Sequence, residues 1–181
     1  SQINILEQHL AHPAHPFIIN PKPIDKARII HNRPKINELH IEEALLQLIQ
    51  EAKEEILISN AYFIPSIPLK KALRRAAQRG VKIKILTNGY KTNDIPPVAV
   101  LARYGYKELV DYNYQAELRH SLAKEIEIYE WTGDINDDGI LEHGTNHAKF
   151  SVFDKKIAFI GSYNLDPRSR NINSEVGVLF E

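Results

Sequence analysis

The 181-residue chain has no cysteine and no methionine, 8 glycines and a single tryptophan. Without cysteine there is no disulfide, no thiolate zinc site and no cysteine nucleophile, and redox poise does not fix a compartment. Without methionine, and opening Ser1-Gln2-Ile3, the chain is read as a processed form or a piece of a longer translation product. Its apolar runs are a few residues long, far short of the roughly 20 that cross a bilayer. A surplus of either charge is absent too, since 23 Lys and Arg balance 23 Asp and Glu. What is present, 43% hydrophobic and 25% charged residues, is an ordinary globular composition of a length for one domain or two small ones.

The zero net charge hides segregation. Ile56 to Asn93 holds no acidic residue but carries Lys70, Lys71, Arg74, Arg75, Arg79, Lys82, Lys84 and Lys91. Glu125 to Ala148 holds no Lys or Arg but carries Glu125, Glu127, Glu130, Asp134, Asp137, Asp138 and Glu142. A sum that cancels still leaves strong local fields.

Pro13, Pro16, Pro21, Pro23 and Pro34 mark residues 1–35 as an extended lead-in, and residues 36–181 are read as the folded domain. Leu39, Leu45, Leu46, Leu48, Ile49 and Ala52 follow helical spacing, with Asn37 as the expected N-cap. Ile56-Leu57-Ile58 reads as a buried strand. Leu69, Leu73 and Ala76 line a helix that stops at Gly80, and Val81 to Leu86 alternates like a strand. A third helix is expected over Pro97–Leu122, then strands at Glu125–Trp131, Ala148–Phe153, Ile157–Ile160 and Val176–Phe180. Strands alternating with helices predict an α/β fold, a mixed β-sheet sandwiched by helices.

Chemistry concentrates in His147-Ala148-Lys149-Phe150-Ser151-Val152-Phe153-Asp154 and Gly161-Ser162-Tyr163-Asn164. On a strand, residues i and i+2 share a face, so His147 and Lys149 stand together while Ala148, Phe150 and Val152 are expected to face a core. A turn near Asp154-Lys155-Lys156 then brings Ser162 and Asn164 back beside them. An imidazole, an ammonium, a hydroxyl and an amide converging on one point suit a tetrahedral oxyanion such as a phosphodiester.

The pattern H-x-K, four residues, D, six residues, G-S, then Asn two beyond the Ser, resembles the HKD signature of the phospholipase D superfamily. Asn164-Leu165-Asp166-Pro167-Arg168-Ser169, Asn173-Ser174-Glu175 and, upstream, Asn60 to Pro65, Leu86-Thr87-Asn88, Asp94 and Ile128-Tyr129-Glu130 extend the likeness to the C-terminal HKD half of bacterial cardiolipin synthases and phospholipase D-like proteins. The resemblance implies a phospholipase D-like fold and a catalytic set of His147, Lys149, Asp154 and Glu175. His147 would be the nucleophile that forms a phosphohistidine, and Lys149, Ser162 and Asn164 would hold the phosphate oxygens with it. Glu175 would orient the His147 ring, and Asp154 would be structural and electrostatic more than reacting. It calls for no cofactor and no metal, because Lys149 supplies the positive charge.

The same resemblance requires a second HKD motif, whose histidine serves as general acid and then base. His31, His40, His120 and His143 each lack a Lys two residues on, so the second half comes from the same parent chain or from a homodimer, and the monomer by itself is expected to be inactive. The implied partner is a phospholipid, at a bacterial peripheral-membrane or cytoplasmic location, with nucleic acid ranked lower. The function implied is phosphodiester hydrolysis or phosphatidyl transfer. A homodimeric metal-independent nuclease or phosphodiesterase and a non-catalytic interaction half are the alternatives.

Lesser features take plainer readings. Asp134 to Gly139 imitates a calcium loop, but loop position twelve is Thr145 where a bidentate Glu belongs, so an acidic turn is favoured. His12 and His15 are read as solvated lead-in. Asp166 and Arg168 are expected to pair behind the site. Lys70, Lys71, Arg74 and Arg75 are read first as a solvated helix face, and second as a peripheral contact for anionic lipid.

Overall fold

A computed structural model describes residues 26–118, 124–135, 140–142 and 144–181. It contains an eight-stranded mixed sheet in the order β2-β1-β10-β9-β8-β3-β4-β5. The strands are β1 (Ala27–Arg33), β2 (Glu38–Leu39), β3 (Glu55–Asn60), β4 (Lys82–Asn88), β5 (Ile126–Trp131), β8 (Lys149–Phe153), β9 (Ile157–Gly161) and β10 (Glu175–Phe180). A separate two-stranded ribbon joins β6 (Asp134–Ile135) to β7 (Leu141–Glu142). The helices are α1 (His40–Glu51), α2 (Ile67–Gln78), α3 (Pro96–Leu118) and the short α4 (Pro167–Asn171).

The parallel part, β3-β4-β5, arises from two crossovers through α2 and α3. Helix α2 begins where the Ser66 hydroxyl accepts the Leu69 N–H (3.3 Å) and ends before Gly80, whose φ of 92° is a left-handed stop. Ile56, Ile58, Ile83, Ile85 and Ile126 on one sheet face pack with Ile41, Leu45 and Ile49 of α1, Leu69 and Leu73 of α2, and Ala102 and Leu109 of α3 in one buried cluster. The opposite sheet face carries Ile29, Phe150, Ile160 and Val176 in exposed positions.

Four sequence expectations are corrected. The sheet takes in residues that were read as a lead-in: Ala27 to Asn32 pair with β10 from Phe180 to Glu175, so folded structure begins before residue 36. Asn37 does not cap α1. It is left-handed (φ 61°) and closes a 3-10 turn over Pro34–Ile36, a conformation that Asn tolerates. The cap is long-range instead, with Oδ1 of the fully buried Asn32 accepting the Ile41 N–H at 2.8 Å. Phe150 is 39% exposed while Ser151 and Phe153 are buried, so the face of β8 that enters the core is the one Lys149 shares. Lys70 is buried and donates to Glu108 of α3 at 2.7 Å, so it is no part of a solvated face.

The third helix ends at Leu118, and residues 119–123 lie outside the described part, as do the middle of the calcium-like loop, residues 136–139, and His12, His15, His120 and His143.

Candidate active site

The carboxyl ends of the parallel strands β3 and β4 close on buried polar pairs, Ser59-Asn60 and Thr87-Asn88. Ligands of open α/β sheets bind outside such ends. Antiparallel β8 starts there, because Lys149 pairs with Asn60. The residues before it, Asn146-His147-Ala148, are held by a lattice of amides. The side chain of Asn88 donates to the carbonyls of Ala61 (3.1 Å) and Asn146 (2.8 Å) and accepts the Asn146 N–H (2.9 Å). Asn146 donates to Oγ of Ser59 (3.2 Å) and accepts the Ala148 N–H (3.0 Å). His147 therefore projects from a pinned backbone into solvent.

Lys149 Nζ lies 3.3 Å from Nδ1 of His147 and donates to its carbonyl at 3.0 Å. Burial lowers the Lys149 pKa below the ordinary lysine value, although the carboxylates of Glu175, Asp166 and Asp94 act to raise it. Asp94 in turn accepts a short hydrogen bond from Tyr62, whose phenol is pushed up to about 12, chiefly by burial and then by that bond.

The β8–β9 hairpin turns through Asp154 and Lys155, both left-handed (φ 52° and 56°), the type I′ geometry that matches strand twist. Beyond β9 the chain passes Ser162 and Asn164. The Ser162 hydroxyl donates to Glu175 and accepts the Val176 N–H (3.1 Å). Asn60 splints the next residues, donating to the Tyr163 carbonyl (3.3 Å) and accepting the Leu165 N–H (3.1 Å). Oδ1 of Asn164 is buried with no hydrogen-bond partner. The Glu175 carboxylate takes the hydroxyls of Ser162 and Ser169, the latter at 2.9 Å. Here the His147 ring touches Lys149, and Glu175 bonds Ser162 and Ser169.

Asp154 stands at the far end of β8, about 23 Å along the chain from His147 at roughly 3.3 Å per residue. It accepts the N–H groups of Lys53, Glu54 and Glu55 at 2.9, 2.8 and 3.0 Å, which makes it a structural residue outside the site. Asp166 caps α4 by accepting the Ser169 N–H (2.8 Å), and the Arg168 backbone N–H and charge also act on its carboxylate. Helix α4 is anchored by Arg170, which donates to the buried Glu42 of α1 at 2.8 Å. Asn88, Asn146, Ser59, Ser169, Glu42 and Arg170 were not singled out for these roles in the sequence. The polar pairs Ser59-Asn60 and Thr87-Asn88 that end β3 and β4 were the available signal.

Imidazole, ammonium, hydroxyl and amide at one end of a mixed sheet set out the HKD pattern on an α/β domain. The family model that matches, described as "Cardiolipin synthase, PLD-like domain", spans residues 45–181, and the chain belongs to that family within the phospholipase D superfamily. Cardiolipin synthase B of Salmonella typhi is 34% identical over 146 residues, which cover 79% of this chain and 30% of that protein. The chain thus spans about a third of the length of the curated relatives it matches. Among solved structures, NucT from Helicobacter pylori superimposes with a TM-score of 0.61 at 19% identity, covering 86% of each chain. Nuc, a phospholipase D family member from Salmonella typhimurium, gives 0.55 at 21% identity, covering 86% of this chain and 82% of its own. Those two likenesses concern the fold.

Proposed function

We propose that this chain supplies one of two HKD motifs to an enzyme that hydrolyses or transfers a phosphatidyl group, with His147 as nucleophile. The observation that carries this reading is the pairing of His147 with Lys149 on a backbone pinned by Asn88 and Asn146. A ring nitrogen of His147 attacks phosphorus, the bond to the leaving alcohol breaks, and the histidine of the second motif protonates that alcohol. Water or an acceptor alcohol then displaces His147, giving up its proton to the second histidine. Lys149, Ser162 and Asn164 stabilise the equatorial oxygens, and Glu175 acts through Ser162 as a positioning residue. No metal is called for at this site.

The lipid assignment is supported by identity to cardiolipin synthases at 34%. Turnover of phosphatidylglycerol vesicles by an assembly containing two motifs, lost in His147→Asn with an unchanged circular dichroism spectrum, is the expected result. Wild-type turnover by that variant would contradict the assignment. A preparation that cleaves nucleic acid as a homodimer and leaves the vesicles intact would favour the nuclease reading.

A further inference from the structure

Away from His147, two histidines and a glutamate meet where β1 turns into β2 and α1. Nε2 of His31 lies 2.9 Å from Oε2 of Glu38. The rings of His31 and His40 stand edge to face with centroids 5.5 Å apart. One donor atom from each of His31, Glu38 and His40 falls within 4.8 Å of the other two. All come from one short segment whose shape is set by backbone: left-handed Asn37 ends the turn, and Arg33 pairs with Glu38 across β1 and β2.

We infer that His31, Glu38 and His40 form a binding site for a divalent transition-metal ion of the zinc class, independent of the catalytic reading above. Two imidazoles and one carboxylate are a borderline N/O donor set that suits zinc and disfavours calcium or magnesium, which take oxygen ligands. A fourth position remains for water. Around an ion at about 2.0–2.1 Å the donors draw together to about 3.4 Å, a contraction within reach of side chains that are 45% exposed at His31 and 29% at Glu38.

The surroundings support the ligands as metal sites require. Arg33 grips Glu38 through Nε to Oε2 at 2.7 Å and Nη2 to Oε1 at 3.0 Å. With the ion bound, Oε2 turns to the metal and Oε1 keeps Arg33. The carboxylate of Glu43 lies 3.4 Å from Nδ1 of His40, either orienting that ring or offering the fourth ligand. The site clamps β1, β2 and the start of α1. Asn32, next to His31, caps α1 and pairs in register with Glu175, so the clamp ends one residue from the strand position opposite Glu175.

Titration of the full chain with Zn²⁺ against a chromophoric chelator, and with Co²⁺ followed by its visible spectrum, tests the site. One ion per chain at micromolar affinity or tighter is expected, with a tetrahedral or five-coordinate cobalt band. His40→Ala, at a half-exposed position, and Glu38→Gln should each weaken Zn²⁺ binding at least tenfold and remove the band while leaving circular dichroism unchanged. Arg33→Ala should weaken binding about tenfold, as loss of an outer partner does. A His9→Asn, His12→Asn, His15→Asn triple variant should bind like wild type. Wild-type affinity in His40→Ala, loss of binding in the triple variant, or weak binding that no single substitution alters would each overturn the inference.

Discussion

Lys149 stands between opposing influences, burial lowering its pKa and Glu175, Asp166 and Asp94 raising it, with the balance below the ordinary lysine value of 10.5. In the proposed mechanism the ammonium is the form that neutralises charge developing on phosphorus. The alkaline limb of kcat/KM is therefore predicted to come in below pH 10.5, and a limb at or above that pH would contradict the environment described. Lys149→Ala should cost about 10²- to 10³-fold in kcat, the loss typical of one oxyanion donor. Asp154 presents the reverse balance. Burial pushes its carboxyl up, but N–H donors from Glu54, Lys53 and Glu55 and the Lys156 charge outweigh it, and the pKa ends below 3.8. A depressed pKa means a stabilising contribution that is complete above the unfolded value, near 3.8, and is lost as pH falls through the folded one. Asp154→Ala should destabilise by roughly 1–3 kcal/mol in urea unfolding at pH 7 and leave activity per folded molecule unchanged. An unchanged midpoint would show that the three N–H groups find water equally well. Asp154→Asn should fall between, since Asn keeps an acceptor and tolerates a left-handed φ.

Among the elements, the β8–β9 hairpin and the crossovers through α2 and α3 were legible because period-2 and period-3.6 patterns and a turn at Asp154-Lys155-Lys156 are local signals. The cap of α1 was not legible. Asn32 reaches Ile41 only after β1 joins β10, and no local motif marks a cap nine residues upstream. Lys70 looked solvated for the same reason, its partner Glu108 being on another helix. The face of β8 was misread because alternation fixes which residues share a side but not which side is covered. His147, Lys149, Ser162 and Asn164 were legible as a constellation from spacing and resemblance, whereas the serine contacts of Glu175 depend on where α4 docks. Two elements carry further predictions. A Cβ on Gly161 would sit 2.5 Å from the Val176 carbonyl oxygen, and one on Gly177 2.3 Å from the Phe159 ring, so β9 and β10 meet through paired glycines. Gly161→Ala should destabilise by about 1–3 kcal/mol through overpacking, read as a lowered Tm. Asn146→Ala unpins the His147 backbone and should lower kcat at least tenfold with KM little changed, the mark of lost positioning. A loss of kcat/KM carried by KM alone, with kcat unchanged, would contradict that role.

At the scale of the molecule, a few members of the segregated charge blocks are paired within the sheet and its helices. Lys84 on β4 faces Glu127 on β5 at 3.6 Å, which joins the basic block to the acidic one, and Glu130 of the acidic block is held instead by Arg103 on α3 at 2.5 Å. Lys71 and Arg75 remain exposed on α2. If that face meets anionic lipid, reversing both charges should weaken binding to phosphatidylglycerol vesicles by well over tenfold, at about 1 kcal/mol per basic residue near the surface. No helix among the described residues is long and apolar enough to cross a membrane. The central claim concerns the bond formed at His147. Rapid acid-free quenching of a two-motif assembly during turnover of headgroup-labelled and phosphate-labelled phosphatidylglycerol, followed by peptide mapping, tests it directly. The account predicts an acid-labile phosphorus adduct on the peptide carrying His147, formed at a kinetically competent rate and absent in His147→Asn. An adduct on another residue, or full turnover without any adduct, would contradict it.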